Sequence, residues 1–165
     1  LLINFNTINF KTLQIRLWKT IKAVLFLVAL RCVFLSKAKG SRVERELLRK
    51  FWEHKWFCIR IAGSGSMPFP CPDLLAGKHG KSLAIECKSS KGTQRRYLSV
   101  EQLHDLQEYA RGFGAEAWIG VRFNGLPWFF LKPHHLGKSS GEQPYLDKEL
   151  ALKRGISFEQ LIGQA

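Results

Sequence analysis

Residues 71–90 read CPDLLAGKHGKSLAIECKSS, and how this stretch is parsed decides the fold. Pro72–Ala76 has the composition of a short strand, and Gly77-Lys78-His79-Gly80 reads as a turn. Ser82–Lys88 reads as a further strand, and so short a connection predicts an antiparallel hairpin. Side chains alternate along a strand, so Glu86 and Lys88 face one side while Ile85 and Cys87 face the other. Asp73, on the preceding strand, can then approach Glu86 across the ladder. Glu-x-Lys alone is common, and a solvent-facing pair with Asp73 as a turn residue would give the same letters. Here, however, Pro72-Asp73 is separated from Glu86-Cys87-Lys88 by twelve residues that the hairpin folds back on itself. Two carboxylates and an ammonium meet on one small patch.

That patch suits phosphodiester hydrolysis. Aspartate and glutamate oxygens are hard ligands for Mg²⁺, which keeps several waters and draws the rest of its shell from phosphate. Such an ion polarises the scissile phosphate and acidifies a bound water. A nearby lysine can orient the water or offset charge developing in the transition state.

Outward from the hairpin, Ser41 and Glu44 form an S-x-x-E capping box. Val43, Leu47, Leu48, Phe51 and Trp52 follow at helical spacing, predicting an amphipathic helix over 42–54. Trp56–Ile61 is a strand candidate, and the Gly-, Ser- and Pro-rich Ala62–Cys71 a loop. Ser89–Tyr97 is expected to be a polar, basic loop. Ser99 with Gln102 repeats the capping signature and opens a helix that ends at Gly112 or Gly114. Ala115–Phe123 and Leu126–Leu131 are two more strands joined through Asn124-Gly125. From Pro133 onward the pattern is weak, apart from a short helix near Ser157–Ile162. The order helix, three strands, helix, two strands and tail predicts an α/β (mixed α+β) domain with one central sheet and flanking helices.

The 165 residues carry 26 Lys plus Arg against 13 Asp plus Glu, a net +13 that favours polyanionic partners. Residues 1–40 hold seven basic residues and no acidic one, so the rest of the chain carries only +6. The apolar run Ala23–Leu30 is far below the roughly 20 residues of a membrane helix, and Arg31 interrupts it. No small-x-small cleavage site follows, which counts against a signal peptide. We expect residues 1–34 to be upstream sequence, with Leu35 a non-standard start. Residues 1–36 should thus lie outside the fold and 37–165 form the functional domain. Cys32, Cys58, Cys71 and Cys87 lack zinc-ligand spacing and read as reduced thiols, in keeping with a cytoplasmic protein. His134-His135 reads as loop, and Trp118, Trp128, Phe129 and Phe130 as packing.

Five motifs in order resemble those of the archaeal Holliday-junction resolvases, within the PD-(D/E)xK nuclease superfamily. They are Val43–Leu47 (VEREL), Arg60–Ser66 (RIAGSGS), Pro72–Ala76 (PDLLA), Ile85–Lys88 (IECK) and Leu98–Leu103 (LSVEQL). Phe113–Ala117 continues the likeness over about residues 37–132, and Ile156–Leu161 matches more loosely. Met67-Pro68-Phe69-Pro70 lengthens the glycine-rich loop relative to some relatives.

The resemblance implies a restriction-endonuclease-like five-stranded mixed sheet flanked by helices. It also implies a structure-selective endodeoxyribonuclease that cuts four-way junctions by paired nicks. Asp73 and Glu86 would be metal ligands, Lys88 the catalytic lysine and Glu44 the completing acid, with Glu46 a weaker candidate. Ser64 would lie near the scissile phosphate, and Arg45 and Arg60 would bind phosphate. Lys91, Arg95 and Arg96 load the following loop with charge that positions DNA without reading sequence. The cofactor expected is Mg²⁺, with Mn²⁺ able to substitute, and the partners are branched DNA and a second copy in a homodimer. No membrane or small-molecule cofactor is expected. The competing readings are another PD-(D/E)xK nuclease, restriction-like or reparative, and a non-catalytic basic nucleic-acid-binding protein.

Overall fold

The computed structural model describes residues 42–61, 69–92 and 94–163. The chain divides into two units, Leu1–Lys39 and Gly40–Ala165, and every described residue belongs to the second. The expectations for residues 1–36, for Ser41 as a helix cap and for Ser64 therefore lie outside the described residues.

The elements run α1 (residues 42–53), β1 (Phe57–Arg60), β2 (Leu74–Lys78), β3 (Lys81–Ser90), β4 (Arg96–Tyr97) and α2 (Val100–Phe113). Next come β5 (Glu116–Phe123), β6 (Trp128–Leu131), a 3-10 turn (Pro133–His135), β7 (Gly137–Lys138), β8 (Pro144–Leu146), α3 (Lys148–Arg154) and α4 (Phe158–Ile162). A five-stranded sheet has the order β1-β2-β3-β5-β6. Only β3 and β5 pair in parallel, and α2 makes the crossover between them. The α/β class and the five-stranded mixed sheet are as expected.

The β2–β3 hairpin is tighter than the sequence suggests. Its turn is His79-Gly80 alone, both at positive φ (48° and 80°), as a two-residue I′-type connection requires. At the other end β2 begins at Leu74, not Pro72. Proline has no N–H to donate, and the N–H of Cys87 on the facing strand is taken by the Asp73 carboxylate at 2.8 Å. Asp73 thus stands at the mouth of the hairpin, one residue before its strand. Helix α2 opens on the predicted Ser99–Gln102 capping box, with both hydrogen bonds formed, and closes on Gly114 in the left-handed region.

Two expectations are corrected. The predicted loop 89–97 contains the end of β3 and all of β4, and the weakly patterned tail contains β7, β8 and α3. Strands β4, β8 and β7 form a second, three-stranded sheet. Strands of two or three residues are too short for alternation to show, and β4 pairs with β8 far along the chain. The short helix near the C-terminus is present as α4, with Ser157 as its cap.

Each face of the large sheet has its own core. On one, Val43, Leu47 and Phe51 of α1 and Phe158, Leu161 and Ile162 of α4 pack on Leu83 and Ile85. On the other, Leu103, Leu106 and Ala110 of α2 cover Ala84, Ile119 and Val121, and Leu98, Leu136 and Leu146 join them from around the small sheet. Trp118, Trp128 and Phe130 are buried, so they serve packing as expected. Gly120 on β5 lies beneath this aromatic layer. A Cβ there would meet Phe130, Ile85 and Trp128 at 3.2–3.3 Å. Gly120→Val is therefore expected to cost about 1–3 kcal/mol through overpacking, read as a lowered midpoint in urea.

Candidate active site

The register Leu74↔Ile85 sets Asp73 opposite Glu86, and directly opposed side chains leave a sheet on the same face. Lys88, two residues on, joins them: its Nζ donates to Glu86 Oε1 at 2.8 Å. This face is the one α2 packs against, since Ala84 alternates with Glu86 and Lys88. Glu86 and Lys88 are both largely buried, at 17% and 21% side-chain exposure. Burial raises the Glu86 carboxyl above its ordinary range, and the charge of Asp73 raises it further. Lys88 pulls the other way through charge and hydrogen bond, and Glu44 adds a smaller upward push. The three predicted groups are thus neighbours.

Glu44 comes from α1, on the opposite face of the sheet. Its Oε2 accepts from Arg60 Nη1 at 2.8 Å, in a pair shielded on both sides. Its charge reaches Glu86. Among the described residues, no three His, Cys, Asp or Glu side chains cluster as a metal site. Glu46 points elsewhere: its Oε1 accepts from Arg122 Nε at 2.9 Å and Trp128 Nε1 at 3.0 Å, tying α1 to β5 and β6.

Of the other predicted residues, Arg45, Lys91, Arg95 and Arg96 are exposed. Arg95 is partly committed, with Nε 3.6 Å from Asp147 and its guanidinium 4.2 Å from the Tyr145 ring centre. His134 and His135 contact each other edge to face in a 3-10 turn, away from any acid cluster. Sequence reading gave no role to Cys71, yet its thiol is raised first by burial and then by the charges of Asp73 and Glu86. Cys71 therefore lies beside the acid pair, which no spacing rule signals. Cys58, Cys71 and Cys87 form no disulfide, and burial pushes Cys58 up to about 12.

A divalent cation fits this donor set. Asp73 and Glu86 offer hard oxygens from adjacent strand positions, and the repulsion that raises Glu86 is what a cation would relieve. Three carboxylates (Glu44, Asp73 and Glu86) face two cations (Arg60 and Lys88), leaving an excess of negative charge for an ion to neutralise.

Comparison with known proteins identifies the family. The family model described as archaeal Holliday junction resolvase (hjc) matches residues 35–165. The crossover junction endodeoxyribonuclease Hjc of Archaeoglobus fulgidus is 39% identical over 134 residues, covering 78% of this chain and 98% of that protein. The Hjc of Methanocaldococcus jannaschii is 33% identical, covering 76% of this chain and 88% of its own length. The crystal structure of the A. fulgidus Hjc, described as a Holliday junction resolvase from an archaeal hyperthermophile, superposes with a TM-score of 0.67 at 35% identity. That match spans 74% of this chain and 98% of the other. By family model, sequence and fold alike, the chain belongs to the archaeal Holliday junction resolvase (Hjc) family.

Proposed function

We propose that the protein is a Mg²⁺-dependent endodeoxyribonuclease that resolves four-way DNA junctions by paired, symmetric nicks. The observation that carries this reading is the convergence of Asp73, Glu86 and Lys88 on one shielded patch of the hairpin. Asp73 and Glu86 would hold the ion, with Mn²⁺ an alternative to Mg²⁺. When bound, the cation polarises the scissile phosphate and acidifies a water. The chain's own groups do the rest. Lys88, whose ammonium now rests on Glu86, offsets negative charge at the phosphate as the transition state forms. Arg60 holds Glu44 in place. Ser64, which follows β1 in sequence, is assigned to the scissile phosphate on family likeness. Arg45, Lys91 and Arg96 contact the DNA backbone, which fixes register without reading bases.

Two symmetric cuts require two active sites related by a two-fold axis, and a homodimer supplies them. Among the described residues no helix is long and apolar enough to cross a membrane. The cytoplasm is the expected compartment.

The test is cleavage of a synthetic four-way junction, a nicked duplex and a linear duplex, with Mg²⁺ or with EDTA. Symmetric nicks confined to the junction and abolished by EDTA are the expected result. Equal cutting of the linear duplex would point to a general nuclease of the same fold. Tight junction binding without cleavage in Mg²⁺ or Mn²⁺ would reduce the protein to a binding module. Sedimentation of the protein on the junction should give two chains per DNA.

A further inference from the structure

The small sheet β4-β8-β7 exposes a planar surface that the catalytic patch does not use. Tyr97 and Tyr145 lie opposite each other in its ladder, their ring centres 6.2 Å apart. The Arg95 guanidinium stacks over Tyr145 at 4.2 Å and is steadied by Asp147, the N-cap of α3, at 3.6 Å. On the third strand Gly137 faces Tyr145, and a Cβ there would come within 2.6 Å of the ring. The bare backbone lets the tyrosine lie flat across the sheet. Leu146 and Leu98 turn inward to the core, so the tyrosines face outward. Tyr97 is 48% exposed and the Arg95 side chain 51%.

This surface and the catalytic patch lie on the same side of the large sheet. Leu98, Leu136 and Leu146 fasten the small sheet on the α2 side of the large sheet, the side that bears Glu86 and Lys88. It sits at the C-terminal end of β3, and Arg95 follows Lys88 by seven residues, a span of at most about 25 Å. A guanidinium that only pairs with phosphate needs no ring beneath it. One laid on tyrosine offers its outer face as a flat cation, suited to a nucleobase. Arg96 and Lys91 supply the electrostatic rim for DNA.

We infer that Tyr97, Tyr145 and the Arg95 guanidinium form a stacking platform for an unpaired nucleobase at the branch of the DNA. This rests on the junction-cleaving reading above and assigns Arg95 to a base face rather than to phosphate. A paired base inside a linear duplex has no free face to offer. The platform therefore adds affinity for branched DNA alone.

The test compares wild type, Tyr97→Leu, Tyr97→Phe and Arg95→Lys on a four-way junction and on a linear duplex, at one salt concentration and without divalent metal. Tyr97→Leu and Arg95→Lys are expected to weaken junction binding about tenfold, the scale of one lost base–aromatic stack. Tyr97→Phe, which keeps the ring, stays near wild type, and duplex binding is unchanged throughout. A 2-aminopurine at the branch brightens or dims on binding wild type and responds less to Arg95→Lys. Full junction affinity in Arg95→Lys, or equal losses on junction and duplex, overturns the platform, because either marks a plain phosphate contact. Thermal melting of each variant separates a lost platform from an unfolded sheet, and Arg95→Lys keeps the test decisive if Tyr97→Leu unfolds. Wild type without a preference for the junction would sink the parent reading. A preference retained in Tyr97→Leu and Arg95→Lys sinks only the platform.

Discussion

Asp73→Asn and Glu86→Gln are each expected to slow junction cleavage by about a thousandfold or more, while junction binding in EDTA stays within a few-fold of wild type. Each replacement keeps the side chain's shape and removes an anionic oxygen from the proposed ion site. Ion-assisted charge stabilisation is worth several kcal/mol, and about 1.4 kcal/mol is a factor of ten in rate. Binding persists because it is carried mainly by exposed cations such as Arg45, Lys91 and Arg96. The two variants differ in stability. Glu86 is a shielded carboxyl held above its ordinary range by burial and by Asp73, so its ionised form is unfavourable in the fold. Neutralising it should leave the melting temperature unchanged or raise it slightly. Asp73 accepts the Cys87 N–H, and the weaker amide acceptor should lower the midpoint a little. Single-turnover cleavage, gel shift in EDTA and thermal melting read these effects. Cleavage retained by either variant would remove that residue from the site.

Phe158→Ala should be the most destabilising of the simple truncations, by about 3–5 kcal/mol. The Phe158 ring sits edge-on to Phe51 at 5.0 Å and to His54 at 5.0 Å, lies 6.2 Å from Phe130, and has the Lys50 ammonium 4.6 Å from its centre. It is 2% exposed, and α4, which it anchors, has only five residues. So short a helix has little stability of its own. Loss of the ring should therefore free the helix as well as open a cavity. A fall in melting temperature of about 10 °C or more is expected. Cleavage assayed well below the new midpoint should stay near wild type, because α4 packs on the face away from Glu86 and Lys88. A fall of only a degree or two would show that α4 is peripheral to the core.

The hairpin that carries Asp73, Glu86 and Lys88 was legible because strand alternation and a His-Gly turn are local properties. The cap at Ser99 was legible for the same reason, with its partner three residues away. What escaped was nonlocal. Glu44 pairs with Arg60, sixteen residues on and in another element, and no spacing rule signals that contact. Tyr145 docks on Gly137 in strands too short to leave a pattern, so the small sheet was invisible in the tail. The hydrogen bond from Cys87 to Asp73 moved the start of β2 by two residues, and no propensity encodes that exchange.

The tightness of the His79-Gly80 connection couples chain length to chemistry. Between Asp73 and Glu86 the hairpin spends every residue on paired strand or on its two-residue turn, so it has no slack to absorb an insertion. A single-codon indel there would shift the strand phase by one and rotate Glu86 and Lys88 into the oily layer under α1. The reading frame of the pleat is thus as much a part of the active site as the acids themselves.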